Sequence, residues 1–289
     1  MMTNASNKLF WEIVNCQIHT LQGQGCPGCK KILDVQQGCK RLQIPEPWSG
    51  DIDCAAVLFI GANPALCEDE VFPSRERASP YQWVERCKRN ILWTPNDVEK
   101  YFTGRFGAAS CPGCGRKYFD PTSRKVLESS CNYRPVQNQY WPIYNQYYQA
   151  VQSANNMSSN DYDFALTDIV HCKGSKQEGV LEASACCRQW TQKVVEIFAR
   201  NEAPHHSILF VGRQYDRYVP MILSGFNAAN GSVVGTYDYR RKGMVTPKEI
   251  RKSVVSIAGT MVDVYYGIPA PSNANRAATN ICFRGKKIK

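Results

Sequence analysis

The sequence predicts an α/β protein built on a central, mostly parallel sheet flanked by helices. Short runs of apolar, β-favouring residues mark strand 56–62 (around VLFIG), strand 164–170 (FALTDIV) and strand 207–212 (SILFVG). Helix-period segments lie at about 80–92, 142–154, 183–200 and 213–223. Strand and helix therefore alternate, and right-handed crossovers onto a parallel sheet satisfy that order most economically.

In chain order, residues 1–50 are cysteine-rich with little strand pattern. Val57 to Ile60 then read as a fully buried strand, broken by Gly61, with Pro64 withholding an amide donor and fixing the turn. Asn63 is left at the carboxyl end of a strand, where open α/β sheets place ligand sites and where a side chain can orient a water or a substrate. The stretch 87–135 interrupts the rhythm with Gly, Pro and Cys, and reads as a module inserted into a single domain spanning 1–289. The aromatic run QYWPIYNQYY follows. It is read both as the core face of a helix and as the source of Tyr140 and Trp141 to stack on a ligand, with Phe72, elsewhere in the chain, next. Further strands are expected at 253–257 and 261–266, and His205 and His206 in a surface loop.

The chain, at 289 residues, is long enough for a full core, and its formal net charge is +10. The excess gathers late, at Arg240, Arg241, Lys242, Lys248, Arg251 and Lys252, then Arg284, Lys286, Lys287 and Lys289, among tyrosines and Phe283. Such a balance attracts phosphate backbones, so DNA is the expected partner. No apolar run is long enough to span a bilayer and the N-terminus lacks a signal pattern, so a cytoplasmic monomer without a membrane partner is expected. Fourteen cysteines in a reducing compartment argue for metal sites rather than disulfides.

Two CPGC knuckles, Cys26 to Cys29 and Cys111 to Cys114, let paired thiolates grip a metal from a tight turn. With Cys131 as third ligand and Cys87 as fourth, the second knuckle reads as a zinc ribbon. The first has two completions. Cys16 and Cys39 would close a local zinc site; Cys172 and Cys187, or its neighbour Cys186, would close one across the fold.

Strands and cysteines in this order resemble the uracil-DNA glycosylase superfamily, over most of the chain outside the insert. The pieces are a CxxC, a strand ending in G-x-x-P-small, LTDIVHC, a Cys-opened helix CRQWTQKVVEIFA, the strand SILFVG and a Pro-Ser loop, IPAPSNANR. The resemblance is to the branches with a 4Fe–4S cluster, and it implies that Cys26, Cys29, Cys172 and Cys187 hold that cluster in a structural role. Asn63 departs from those branches and resembles the GxNPG motif of the mismatch-specific and single-strand-selective ones, where Asn positions the attacking water. Ile268 stands where many branches carry a His, and the loop IPAPSNANR resembles the His-less loop of the mismatch-specific branch.

Asp168 falls where uracil-removing relatives carry Asn. An Asn amide matches uracil; a carboxylate accepts instead from the N4 amino group of cytosine and, if protonated, donates to N3. Ala65 replaces the bulky Tyr that excludes 5-substituted pyrimidines in the most uracil-specific relatives. The resemblance with these departures implies a monofunctional DNA glycosylase for a flipped 5-modified cytosine, such as glucosylated hydroxymethylcytosine in phage DNA, acting in defence. Ser272, Asn273 and Arg276 would hold the DNA backbone. Two rivals are the same chemistry on uracil or another deaminated base, and a non-catalytic, metal-stabilised nucleic-acid-binding protein.

Overall fold

The computed structural model of the chain describes residues 2–36, 41–64, 66, 72–87, 91–104, 119–120, 125–126, 140–174, 179–212, 215–272 and 277–288. α1 (Asn4–Val14) starts at Thr3, whose hydroxyl accepts from the Ser6 N–H, and buries Leu9, Phe10, Ile13 and Val14 at helical spacing. α2 (Gln17–Thr20) is one turn, and α3 (Pro27–Asp34) opens on a proline, where no amide donor is missed. Next come β1 (Arg41–Gln43), the fully buried β2 (Val57–Gly61), β3 (Ser74–Glu76), β4 (Glu85–Cys87) and β5 (Ile91–Leu92). α4 (Pro95–Thr103) carries a reciprocal Thr94–Asp97 capping box. It is followed by the two-residue strands β6 (Phe119–Asp120) and β7 (Lys125–Val126), then α5 (Trp141–Ala154), β8 (Ala165–Asp168), α6 (Val180–Arg200), β9 (Ser207–Val211) and α7 (Tyr215–Ile222). The remaining strands are β10 (Ser232–Arg241), β11 (Met244–Ile257), β12 (Thr260–Ile268), β13 (Ala278–Phe283) and β14 (Lys286–Lys287).

The chain divides into two compact units, one of residues 1–51, 62–137 and 167–191, the other of residues 52–61, 138–166 and 192–289. The second unit holds an eight-stranded sheet in the order β14-β13-β10-β11-β12-β9-β2-β8, whose last strand runs on at Thr167 into the first unit. Its centre is apolar: Phe59 packs edge-on to Tyr144 and Phe164, and Tyr147 and Tyr265 pack on Phe283. α5 and the second half of α6 supply further buried side chains to this unit.

The expected α/β class with flanking helices is present, but the sheet is not mostly parallel. β9 runs parallel to β2 and β12, whereas β11–β12, β10–β11, β10–β13 and β13–β14 are antiparallel. Three two-residue hairpin turns make β10–β11, β11–β12 and β13–β14 antiparallel, at Lys242–Gly243, Ala258–Gly259 and Arg284–Gly285, each with both φ angles positive. That conformation matches strand twist and turns the chain straight back. Because the first residue of each is Lys, Ala or Arg rather than Asn or Asp, the usual hairpin signal is missing from the sequence.

In the first unit Phe10 packs on Trp48 and Phe102, and Phe72 on Tyr101 and Phe102. α4, within the stretch read as an insert, buries Val98, Tyr101 and Phe102. The helix expected at 80–92 is absent: residues 85–87 and 91–92 are strands. Extended pairing overrides a weak helical pattern there, since the Val84 N–H donates to the Ser74 carbonyl and Arg75 bridges to Trp83 with its guanidinium 4.7 Å from that ring.

Candidate functional site

Asn63 lies two residues beyond β2 and Asp168 is the last residue of β8, and the loops that follow these strands are laced together. The Val170 N–H donates to the Ala62 carbonyl at 3.0 Å, the Gly174 N–H to the Pro64 carbonyl at 3.0 Å, and the Leu66 N–H to the Gly174 carbonyl at 3.1 Å. These bonds satisfy backbone groups that a strand-end loop otherwise leaves to water, and they fix the Asn63 turn against the segment that starts at Asp168. Asn63 is half-buried; its amide donates to the Pro64 carbonyl only at 3.5 Å, so it can turn toward a ligand. Asp168 is buried, and its carbonyl accepts from Thr191 Oγ1 at 3.4 Å, as does that of Ile169 at 3.1 Å.

The same segment carries a buried ion pair that sequence reasoning missed. Lys173 Nζ lies 3.9 Å from Glu46 Oε2 and 3.7 Å from the centre of the Phe72 ring, a cation over an aromatic face. Ser49 Oγ donates to Glu46 Oε1 at 3.1 Å, and Gln36 Nε2 donates to the Lys173 carbonyl at 2.8 Å. Between them, the Glu46 N–H donates to the His171 carbonyl at 2.8 Å, and His171 Nδ1 returns a 2.8 Å bond to the Glu46 carbonyl. A carbonyl only accepts, so Nδ1 bears the proton. Burial holds the imidazole neutral, lowering its pKa to about 4. Nothing in the IPEPW and HCKG stretches marks Glu46 and Lys173 as partners; only pairing across 127 positions of sequence brings them together.

Beyond Asp168 the cysteines converge. Cys26 and Cys29 on the α3 knuckle, Cys172, and Cys186 and Cys187 on α6 form one group, with Cys16 electrostatically coupled to it. Cys186 Sγ lies 2.7 Å from Cys26 Sγ, and the Cys29 thiol is held low, chiefly by hydrogen bonds from Cys172 and Cys187. Cys172 and Cys187 are correspondingly raised by the bond to Cys29 and by burial, and Cys26 by burial and Cys186. Two glycines make the approach possible. A Cβ on Gly28, inside the knuckle, would lie 2.6 Å from the Gly179 carbonyl oxygen and closer still to the Ala183 amide, so α6 packs directly on α3 backbone. Cys187 and Thr191 are one helical turn apart on α6, about 6 Å along its axis. The helix that carries the thiols therefore also braces the end of the strand bearing Asp168.

These residues fit the cluster implied by the resemblance. Cys26, Cys29, Cys172 and Cys187 are all buried, the donor set is all thiol, and it comes from three separate segments. Among the described residues no three His, Cys, Asp or Glu side chains form a single-ion site. An all-cysteine 4Fe–4S cluster, by contrast, takes one thiolate per iron. Of the two completions open for the first knuckle, the structure joins Cys172, Cys186 and Cys187 to it; Cys39 lies outside the described residues.

Phe72 belongs to the same unit as Asn63 and Asp168, while Tyr140 and Trp141 open α5 in the other, Trp141 buried there. Ser272 is half-buried in helical backbone; Asn273 and Arg276 lie outside the described residues, as do Ala65, Cys111, Cys114 and Cys131. Cys87 closes β4. His206 is not in a surface loop but buried, with Nε2 2.9 Å from Asn201 Oδ1 and its ring edge-on to Phe198. No helix among the described residues is long and apolar enough to cross a membrane. Compared with known families and curated proteins, the chain matches no family model and no curated sequence.

Proposed function

We propose that the chain is a monofunctional DNA glycosylase that takes a flipped, 5-modified cytosine, such as glucosylated hydroxymethylcytosine in phage DNA, and hydrolyses its N-glycosidic bond. The observation that carries the reading is the lacing of the Asn63 turn to the segment that begins at Asp168. A water-orienting amide and a carboxylate are then held by one backbone ladder, on a floor braced through Thr191. Such preorganisation is what a dissociative hydrolysis needs, since Asn is no strong base and must act by placement. In this reading the Asn63 amide holds a water toward C1′ while positive charge develops on the sugar, and Asp168 accepts a hydrogen bond from the N4 amino group. Phe72, in the same unit, is buried with Lys173 over its ring face, so it does not offer a free face to the base. Lys173 is engaged by Glu46 and by the Phe72 ring, which suits attack by water rather than by an amine.

Cys26, Cys29, Cys172 and Cys187 would hold a 4Fe–4S cluster, which supplies a covalent cross-link between α3, the Asp168 segment and α6. A zinc ribbon of Cys87, Cys111, Cys114 and Cys131 remains a proposal on their spacing.

Matched duplexes containing uracil, cytosine or glucosylated hydroxymethylcytosine test the function. Release of the modified base, lost in Asn63→Ala with DNA binding retained, is the expected result. Release of uracil alone would overturn the substrate, and binding without release of any base would leave a non-catalytic nucleic-acid-binding protein.

A further inference from the structure

The β10–β11 hairpin extends past its neighbours. Pairing of β11 with β12 begins at Arg251 and Tyr266, and β13 accompanies β10 only as far as Tyr239. Beyond them the ribbon continues to the Lys242–Gly243 turn, and every residue from Arg240 to Glu249 is exposed. At about 3.4 Å per residue, the length from Ile250 to Met244 is about 20 Å. Pro247 withholds one donor from the free edge of β11, which discourages pairing with another strand.

Its two faces differ in charge. Register pairs Arg241 with Met244, Tyr239 with Thr246 and Tyr237 with Lys248; because side chains alternate, these share one face. The opposite face has Arg240 with Val245, Asp238 with Pro247 and Thr236 with Glu249. Both hairpin carboxylates thus lie on the second face, and both are engaged: Asp238 accepts from Asn280 at 2.8 Å and Glu249 pairs with Arg251 at 2.5 Å. The first face has cations and no acid. Among the described residues neither Arg241 nor Lys248 is ion-paired, and Met244, 69% exposed, sits beside them.

We infer that the Tyr239–Arg241–Met244–Lys248 face of this hairpin is a docking surface for duplex DNA. The inference rests on the DNA reading above and adds the element that grips the substrate. A two-stranded ribbon fits the major groove, and an acid-free cationic face with a tyrosine and a methionine suits phosphates flanking base and sugar surfaces. At the base of the exposed ribbon the Arg240 N–H donates at 2.8 Å to the carbonyl of Ala277. Val245 and Met244 point to opposite faces, so the tip offers no single apolar side for a lipid surface.

The test is the affinity of the full chain for an unmodified duplex across a salt series, with parallel binding to vesicles containing phosphatidylglycerol. Arg241→Ser with Lys248→Ser is expected to weaken duplex binding at least about tenfold and to lower the salt slope by about two. Met244→Glu is expected to weaken it severalfold, and Arg240→Ser on the other face to change it less than twofold. Unchanged affinity and slope in the double variant, an equal loss in Arg240→Ser, or vesicle binding without duplex binding would each overturn the inference. Base release by the same proteins separates the two readings. Wild-type release undiminished in the double variant at subsaturating DNA would remove the hairpin and leave the chemistry. Hairpin-dependent binding with no release would remove the chemistry and leave the hairpin.

Discussion

Lys173 and Glu46 form an ion pair sealed from solvent, with their side chains 2% and 5% exposed and 3.9 Å between Nζ and Oε2. A lone buried charge is costly, so removing one partner is far worse than removing both. Glu46→Gln is expected to destabilise the chain by about 3 kcal/mol in urea unfolding, and Glu46→Gln with Lys173→Met to recover most of that loss. Equal destabilisation by the single and double variants would show that the pair contributes packing alone.

The Gly28 contact makes a second prediction. A methyl at Gly28 has α6 backbone, not a flexible side chain, in its way, whereas one at Gly25 meets nothing within 4 Å and suffers only its left-handed φ of +83°. With the proposed 4Fe–4S cluster in place, Gly28→Ala is therefore expected to lose iron and acid-labile sulfide, and Gly25→Ala to keep both at a stability cost of about 1 kcal/mol. Full iron content in Gly28→Ala would break the link between this close approach and the thiol group. Replacement of Cys282, exposed on β13, by Ser serves as the control that leaves iron unchanged.

For base choice, Asp168→Asn exchanges an acceptor for an amide at a buried position. A mismatched buried edge costs about 1–3 kcal/mol per group, so the preference between uracil and a modified cytosine is expected to move at least tenfold toward uracil. The ratio of initial release rates from the two duplexes measures this. An unmoved ratio would take Asp168 out of base reading.

Acid stability should depend on Asp263. Burial alone would raise its carboxyl, but hydrogen bonds from His205 and Lys252, the latter at 2.7 Å, outweigh it and the net pKa is lowered. A carboxylate whose folded value lies below its unfolded one contributes stability above the unfolded value, near 3.8, and loses it as pH falls through the folded one. Asp263→Asn is thus expected to be less stable than wild type at neutral pH and to converge with it as acid carries the pH below the lowered folded value. A constant gap across that range would exclude the linkage.

Much was legible locally. Val57–Ile60 reads as a buried strand because four β-favouring apolar residues precede a Gly, and α5, α6 and α7 fall close to where apolar periodicity put them. The antiparallel half of the sheet was not legible, because Lys-Gly, Ala-Gly and Arg-Gly turns lack the polar residue that usually announces positive φ. α1 and α4 each carry a capping threonine that signals a helix start, but they lie in stretches whose overall pattern is set by Gly, Pro and Cys.

By itself, then, the sequence determined which chemistry-bearing residues exist and which strand ends carry Asn63 and Asp168, since strand, break and turn are encoded within a few neighbouring residues. Only the tertiary structure decided what they meet. The lacing of 62–66 to 170–174, the meeting of Cys26 and Cys29 with Cys172, Cys186 and Cys187, and the burial of Glu46 on Lys173 all join segments far apart in the chain. No local propensity encodes such contacts. They form because burying the backbone and charges of each segment is tolerable only when the other segment supplies the partner.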